Sequence, residues 1–268
     1  METTLIIGGN GKTGRRVAER LTALGRPHRI ASRTGTPSFD RNDESTWSPV
    51  LRGVDAIYLA YHPDLAIPGA ADQVRRLARR AVDGGTGRIV LLSGRGEPQV
   101  RPAEDAVRES GAAATILQCA FFDQNFSEGV LAPVLDQIVF PGGDVAEPFL
   151  DADDIADVAV AALTGDGHAG RTYELTGPRL LTYAEAAAEI AAASGKPFRY
   201  VPIALERYAE ILAPVMPADH VELFVELFRW LTDGHNAHLT GDVERVLGRK
   251  PRDFRDYARA AAAAGAWQ

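Results

Sequence analysis

The feature that most constrains this chain is a glycine-rich segment near its start. The apolar run TTLII, residues 3–7, ends in GGNGKTG, residues 8–14. Beyond it, Val17, Leu21 and Leu24 recur at three and four residues, the period of an amphipathic helix. Strand, tight glycine turn and helix are the context in which the spacing G-x-x-G-x-x-G predicts a site for a dinucleotide diphosphate.

Each glycine of this motif meets a different physical need. Gly8 allows a sharp turn out of the strand, Gly11 leaves room for a diphosphate beside the backbone, and Gly14 lets the helix pack close to the strand. The start of the helix presents N–H groups and the positive end of its dipole to an anion. Additional side-chain donors are Asn10, Lys12 and Thr13. The alternative is a glycine-rich βα turn that binds nothing.

The second predicted strand, residues 28–31, bears on the choice between NADP and NAD. An Asp or Glu at its carboxyl end would bind the free ribose hydroxyls of NAD, whereas a basic residue favours the 2′-phosphate of NADP. The strand continues into Ser32, Arg33 and Thr34, with no acid. Arg33 can hold a phosphate through its planar donors, so the sequence favours NADP, although a solvated loop arginine is the alternative. Asp40 follows, in the segment expected to surround the adenine.

The rest of the chain predicts an α/β fold. Strands at 56–60, 88–92 and 113–117 alternate with helices, which indicates βαβ units and a parallel sheet. A late strand is predicted at 171–175, and the last third is mainly helical. We therefore expect a Rossmann-like, doubly wound parallel sheet with a smaller, mainly helical C-terminal substrate lid. The expected domains are residues 1–150, which bind NAD(P), and residues 151–268, which complete the sheet and form the lid.

Several predicted strands end in polar or aromatic residues, at the edge where open parallel sheets bind ligands. The expected cofactor contacts are Gly8, Asn10, Gly11, Lys12, Thr13, Gly14, Ser32, Arg33, Asp40, Ala60, Tyr61, His62, Ser93, Gly94, Ala120, Phe121 and Phe122. Candidates for a proton donor are Tyr61, His62 and Asp123. Structural roles are the alternative for all three, and phenylalanine is more often a core residue.

Composition excludes several classes of protein. The 268 residues are 46% hydrophobic and 24% charged, as in an ordinary globular protein, and the net charge of −7 does not suggest a nucleic-acid partner. The single cysteine, Cys119, excludes an intrachain disulfide and fits a reducing compartment. No signal peptide and no membrane span are recognisable. We expect a cytoplasmic protein without a metal site that binds a small-molecule substrate, as a monomer or a homodimer.

An ordered set of motifs makes the chain resemble the NmrA-like branch of the atypical short-chain dehydrogenases over nearly its whole length. The segments that carry the resemblance are 8–14, 31–33, 53–55, 91–93, 121–126, 151–164, 177–183 and 250–254. The last three are most similar to the ergot-alkaloid subgroup, which includes festuclavine and agroclavine dehydrogenases. The resemblance implies a Rossmann fold with NADP(H), and a substrate pocket between the sheet and the C-terminal helices.

The resemblance does not transfer catalytic residues. Ordinary short-chain dehydrogenases use a Tyr-x-x-x-Lys pair, but the corresponding segment, Val100 to Ser110, contains neither tyrosine nor lysine. Arg101 lies near the place where many relatives carry lysine. A ketone reductase with a resident tyrosine acid is therefore disfavoured.

The expected function is NADPH-dependent reduction of a small cyclic or aromatic acceptor: an imine or iminium, an enone, a quinone or a ketone. Most of these accept hydride with little or no enzymic proton, so positioning does most of the work. A non-catalytic, NADP(H)-sensing regulator of the NmrA type is the alternative. Sugar epimerisation is less favoured, because those enzymes usually retain the Tyr-x-x-x-Lys pair.

Overall fold

A computed structural model describes residues 2–129, 131–133, 136–214 and 217–268, except for the side chain of Asp219. Its strands are Thr4–Ile7 (β1), His28–Ala31 (β2), Ala56–Leu59 (β3), Arg88–Gly94 (β4), Ala113–Cys119 (β5), Gln137–Phe140 (β6), Ala146–Glu147 (β7), Arg171–Leu175 (β8), Leu181–Thr182 (β9) and Arg199–Pro202 (β10). Its helices are Lys12–Ala23 (α1), Trp47–Leu51 (α2), Ala70–Asp83 (α3), Arg101–Arg108 (α4), Asn125–Glu128 (α5), Ala152–Thr164 (α6), Tyr183–Ser194 (α7), Leu205–Leu212 (α8), Ala218–Leu231 (α9), Asp242–Leu247 (α10) and Phe254–Ala263 (α11).

The chain divides into two compact units. The first contains Met1–Cys119, Ala152–Leu175 and Arg245–Gly248. The second contains Ala120–Asp151, Thr176–Glu244 and Arg249–Gln268. Residues 120–151 thus pack with the second unit, whereas α6 and β8 pack with the first. The expected division into residues 1–150 and 151–268 stays a prediction.

The first unit is built on a six-stranded sheet of order β2-β1-β3-β4-β5-β8. All five pairings are parallel, and Ile7 at the end of β1 is in register with Ala31 on one side and Leu59 on the other. The order 2-1-3-4-5 is that of a doubly wound sheet, whose direction of winding reverses between β1 and β3. The α/β fold predicted from the sequence is confirmed.

Burial explains why these segments form strands. All four residues of β1 and all four of β3 are buried, as expected for strands covered on both faces. On α1, Val17 and Leu21 are fully buried, and each such side chain contributes roughly 1.5–3 kcal/mol. Beside this buried face α1 pairs with α6: Arg20 donates to Asp153 at 2.7 Å and also to Asp157. These ion pairs join α6 to α1 within the first unit.

The second unit has an aromatic core. Phe126 and Phe254 meet edge to face at 5.1 Å, and Phe149 and Tyr183 do so at 5.3 Å. Two small sheets accompany this core, a parallel pair β6–β10 and an antiparallel pair β7–β9. The last third of the chain is therefore not purely helical, since it supplies β9 and β10. Its role as a lid stays a prediction.

Helix α7 begins at the capping box predicted from the sequence. The Thr182 hydroxyl accepts the N–H of Glu185 at 3.1 Å, and the Glu185 carboxylate accepts the N–H of Thr182 at 2.7 Å. Both bonds satisfy N–H groups at the start of a helix.

Within the described ranges, the helices are all too short or too polar to cross a membrane.

Candidate dinucleotide site

The glycine loop lies at the carboxyl end of β1, between the ends of β2 and β3. Gly8 has φ of +79°, a region that side-chain-bearing residues rarely adopt, and a Cβ there would lie 2.5 Å from the Ala60 carbonyl oxygen. The N–H of Gly11 donates to the Gly8 carbonyl at 2.9 Å and closes the turn. A Cβ on Gly14 would lie 2.7 Å from Gly9 Cα. Glycines at positions 8 and 14 therefore make the turn possible.

Helix α1 starts directly from this loop and is suited to an anion. Gly11 is its N-cap residue, no described side chain caps it, and its first turn contains no acid. Thr13 and Gly14 are buried, whereas Asn10 and Gly11 are exposed. Bare backbone at a helix N-terminus is the arrangement that binds phosphate groups. The residues present thus fit the diphosphate of a dinucleotide.

The loop after β2 leaves Arg33 exposed. The Ser32 carbonyl accepts the N–H groups of Gly35 at 3.2 Å and Phe39 at 2.8 Å, which folds the loop back on itself. Arg33 makes no hydrogen bond or ion pair with any described residue, so its guanidinium is available to a phosphate. The Asp40 carboxylate instead accepts the N–H of Asn42 at 2.9 Å.

Tyr61 and His62 follow β3, with Arg41 beside them. The guanidinium of Arg41 lies 5.0 Å from the centre of the Tyr61 ring, and it donates to the His62 carbonyl. The Tyr61 hydroxyl donates to Gln73 Oε1 at 2.6 Å. Burial raises the pKa of Tyr61, and Arg41 opposes this rise. The Tyr61 proton is therefore held by Gln73, while the His62 side chain is exposed.

Two glutamates, Glu104 of α4 and Glu97 of the loop after β4, lie near the end of β4. Buried Glu104 accepts the Ser93 hydroxyl at 2.7 Å, Gln118 at 2.9 Å and Arg108 at 3.0 Å. Glu97 lies over Gly94, and a Cβ on that glycine would be 2.6 Å from Glu97 Oε2. Burial is the main cause that raises the pKa of Glu97 to about 8.

The last four residues named from the sequence, Ala120 to Asp123, belong to the second unit. The Phe121 carbonyl accepts the N–H of Leu150 at 2.9 Å, and the N–H of Asp123 donates to the Leu150 carbonyl at 2.9 Å. The Phe121 ring packs on Phe149 with 6.5 Å between centroids, and Asp123 is fully buried. Cofactor contacts by Ala120, Phe121 and Phe122, and proton donation by Tyr61, His62 or Asp123, stay predictions.

Sequence reasoning did not identify three residues near the strand ends: Arg41, Asp64 and Glu97. Each lies in a loop without a motif, so no spacing marks it. Their positions depend on how the loops fold back on the strand ends. Only for Glu97 was there an indirect signal, the glycine at position 94 that makes room for its carboxyl group.

The sheet order and the glycine loop define the class: a Rossmann-like α/β protein of the dinucleotide-binding type. No family model matches the chain. It is 34% identical to an uncharacterized oxidoreductase of Bacillus subtilis (97% of this chain and 95% of the relative) and 31% identical to an NAD(P)H azoreductase of Xenophilus azovorans (97% and 98%). It is 29% identical to the agroclavine dehydrogenase of Claviceps fusiformis (95% and 96%). The chain belongs to the NmrA-like branch of the atypical short-chain dehydrogenases, near the ergot-alkaloid subgroup.

Solved structures agree on the fold. The NADPH-dependent quinone oxidoreductase of Escherichia coli, complexed with NADPH, superposes with a TM-score of 0.79 at 19% identity, over 96% of this chain and 99% of its own. NmrA, a negative transcriptional regulator in complex with NAD, superposes with a TM-score of 0.74 at 15% identity, over 98% and 96%. These structures show the fold, whereas the relatives named above confirm the family assignment made from the motifs and place the chain among the NAD(P)-dependent oxidoreductases.

Proposed function

We propose that this protein is an NADPH-dependent reductase that delivers hydride to a small cyclic or aromatic acceptor. The observation that carries the proposal is the glycine loop. A side chain at the position of Gly8 or Gly14 would clash with neighbouring backbone atoms. The loop leads into an α1 N-terminus with neither a side-chain cap nor an acid in the first turn. Such a surface favours a diphosphate, because the N–H groups and the positive end of the helix dipole attract an anion and no acidic side chain of the first turn already occupies the place.

The residues of the first unit have separate roles in this proposal. Residues 8–14 hold the diphosphate through backbone N–H groups, with Asn10 and Lys12 beside them. Arg33 binds the 2′-phosphate, which makes NADP(H) the preferred cofactor over NAD(H). When bound, the dihydronicotinamide supplies the hydride. A cytoplasmic setting is proposed as well, supported by the single free thiol of Cys119, which is buried.

The class of acceptor is inferred from what the chain lacks and from its relatives. Helix α4 contains neither tyrosine nor lysine, so the usual acid of the short-chain dehydrogenases is missing. An azoreductase and an agroclavine dehydrogenase are among the relatives, and a quinone oxidoreductase shares the fold. Azo, iminium and quinone groups are conjugated acceptors, for which positioning of the reactants within about 3–3.5 Å supplies most of the rate.

The first experiment is a titration of the protein with NADPH, followed by cofactor fluorescence. Gly11→Asp places a carboxylate where the diphosphate is expected, and we predict at least a ~100-fold loss of affinity, equivalent to about 2.7 kcal/mol. Gly241→Asp is the matched control, because Gly241 has no atom within 4 Å of a built Cβ. Unchanged binding in Gly11→Asp, or no binding of either dinucleotide by the unmodified protein, would refute the proposal.

A cofactor sensor is the second candidate, favoured by the missing Tyr-x-x-x-Lys pair. A sensor would discriminate NADP from NADPH in binding and would not oxidise NADPH in the presence of acceptors. A panel of quinones, enones, azo compounds and iminium salts, followed by the loss of NADPH absorbance, separates the two functions.

A further inference from the structure

Glu97 holds an unusual place at the carboxyl end of β4. It follows the last residue of that strand, Gly94, by three positions, and its carboxyl group lies on the Gly94 backbone in the space that a side chain at position 94 would need. The ends of β4 and β3 are neighbours, because Leu91 and Leu59 are in register. The Glu97 carboxyl is thus at the sheet edge where the cofactor is proposed, and residue 97 as a whole is of intermediate exposure.

Glu97 also differs from the acids around it in its hydrogen bonds. Glu104 has three donors, as described above, and Asp64 accepts the N–H of Ala66 at 2.8 Å. The carboxyl group of Glu97 has no hydrogen bond or ion pair with any residue in the described ranges; the hydrogen bond of this residue is accepted by its backbone carbonyl, from the N–H of Val100 at 3.4 Å. A carboxyl group without donors, beside other carboxylates, favours its neutral form.

We propose that Glu97, as a neutral carboxylic acid, is the proton donor for acceptors that become anionic on reduction, such as quinones and enones. This inference rests on the reductase function proposed above and narrows its substrate class. Such an acceptor gains a hydride from a dihydronicotinamide, and the electron pair displaced from its conjugated system leaves a negative oxygen. The O–H bond of Glu97 breaks, the proton forms a new O–H bond on the acceptor, and Glu97 keeps the electron pair as a carboxylate. Water then restores the proton. An iminium ion needs no such step, because hydride addition leaves a neutral amine.

The groups that face Glu97 determine how this step depends on pH. Asp64, from the loop after β3, and Glu104, from α4, add negative charge, and Arg108 pairs with Glu104. Burial and these two acids raise the pKa of the Glu97 carboxyl to about 8. The donor is therefore present at neutral pH and is lost as pH rises through about 8. We expect kcat for a quinone to fall over the same range.

The test compares Glu97→Gln, which keeps the shape of the side chain, with Glu109→Gln, an exposed glutamate at the end of α4. The first readout is kcat for a quinone relative to kcat for an iminium salt. We expect Glu97→Gln to lower this ratio by roughly 10²–10⁴, the usual contribution of general acid catalysis, and to abolish the alkaline fall in rate. Glu109→Gln should change neither. An equal loss with both acceptors, or no loss, would overturn the proposal.

The second readout does not depend on activity. The infrared carbonyl band of a protonated carboxyl group, taken as the difference between the unmodified protein and Glu97→Gln, should be present at neutral pH and vanish above about pH 8. A carboxyl group already ionised at pH 6 would overturn the proposal. Should Glu97→Gln fail to fold, Glu97→Asp replaces it, with the alkaline fall retained at a lower kcat; a rate independent of pH in that variant counts against the proposal.

NADPH titration of every variant keeps this inference separate from the function on which it rests. If the unmodified protein binds no dinucleotide, the proposed function fails and Glu97 has no reaction to serve. If all variants bind NADPH equally and the quinone-to-iminium ratio is unchanged, only the assignment of Glu97 fails.

Discussion

At the scale of single residues, the candidate site depends on side chains that are missing as much as on those present. Gly14 allows α1 to approach the glycine turn, and Gly94 leaves room for the Glu97 carboxyl. Arg33 matters for another reason: none of the described residues binds its guanidinium. A guanidinium that no described residue binds can form two charge-assisted hydrogen bonds to an incoming phosphate without first losing others.

The proposed preference for NADP rests on this single side chain. In Arg33→Ala we expect the Kd for NADPH to rise about 10–100-fold, since hydrogen bonds to a charged group are worth roughly 1.5–3 kcal/mol. The Kd for NADH should change by no more than about twofold, because NADH lacks the 2′-phosphate. Arg26→Ala is the control: it removes the same charge from an exposed arginine at the opposite end of β2. Isothermal titration with both cofactors measures the effect, and equal weakening of both would contradict the assignment.

At the scale of elements, most helices follow their sequence patterns, and α7 does so from its first residue. Its start depends on two reciprocal hydrogen bonds between Thr182 and Glu185. Its end is a glycine, Gly195, with φ of +72°. Both signals are local, so the helix could be predicted without knowledge of its neighbours.

The cap of α7 makes a measurable contribution to stability. Thr182→Ala removes the hydroxyl that accepts the Glu185 N–H, and we expect a loss of about 1 kcal/mol and a Tm lower by about 2–4 °C. Thr182→Ser keeps that oxygen and should stay within about 1 °C of the unmodified protein. Thermal unfolding followed by circular dichroism gives both values. An equally large loss in the serine variant would mean that the methyl group, and not the cap, stabilises the helix start.

At the scale of the whole molecule, the order of the sheet divides its strands into inner and edge strands. In the first unit β1, β3, β4 and β5 pair on both sides, whereas β2 and β8 each pair on one side only. An inner strand exposes its backbone N–H groups only when the unit opens, but an edge strand can open locally.

Hydrogen exchange should therefore separate these strands. We expect peptides from β3 and β4 to exchange at least about tenfold more slowly than peptides from β2, which corresponds to a difference of about 1.4 kcal/mol in opening free energy. Mass spectrometry of exchanged peptides measures this. Equal protection of β2 and β3 would indicate that something else covers the β2 edge.

Several strand bounds and the glycine turn could be predicted from the sequence. The bounds predicted for β2 and β8 agree with the structure to the residue, and the glycine turn lies where its spacing placed it. Strand β4 runs two residues further than predicted, to Gly94, because Gly94 pairs with Cys119 of β5. The short strands β6 and β10 were not predicted, since each is stabilised by a partner about sixty residues away.

What the sequence determined by itself is everything that depends on neighbours along the chain. The period of apolar residues, the glycine spacing and the capping box act over a few residues, and they were enough for the α/β class and the glycine turn. The family followed from the ordered set of motifs in which the chain resembles it. Only the tertiary structure decided which distant residues meet. Residues 120–151 pack with the second unit, α6 returns to α1 through Arg20, and Glu97 comes to lie on Gly94 beside Asp64 and Glu104. Such contacts depend on chain closure and on the exclusion of water from groups far apart in sequence, which no local pattern records.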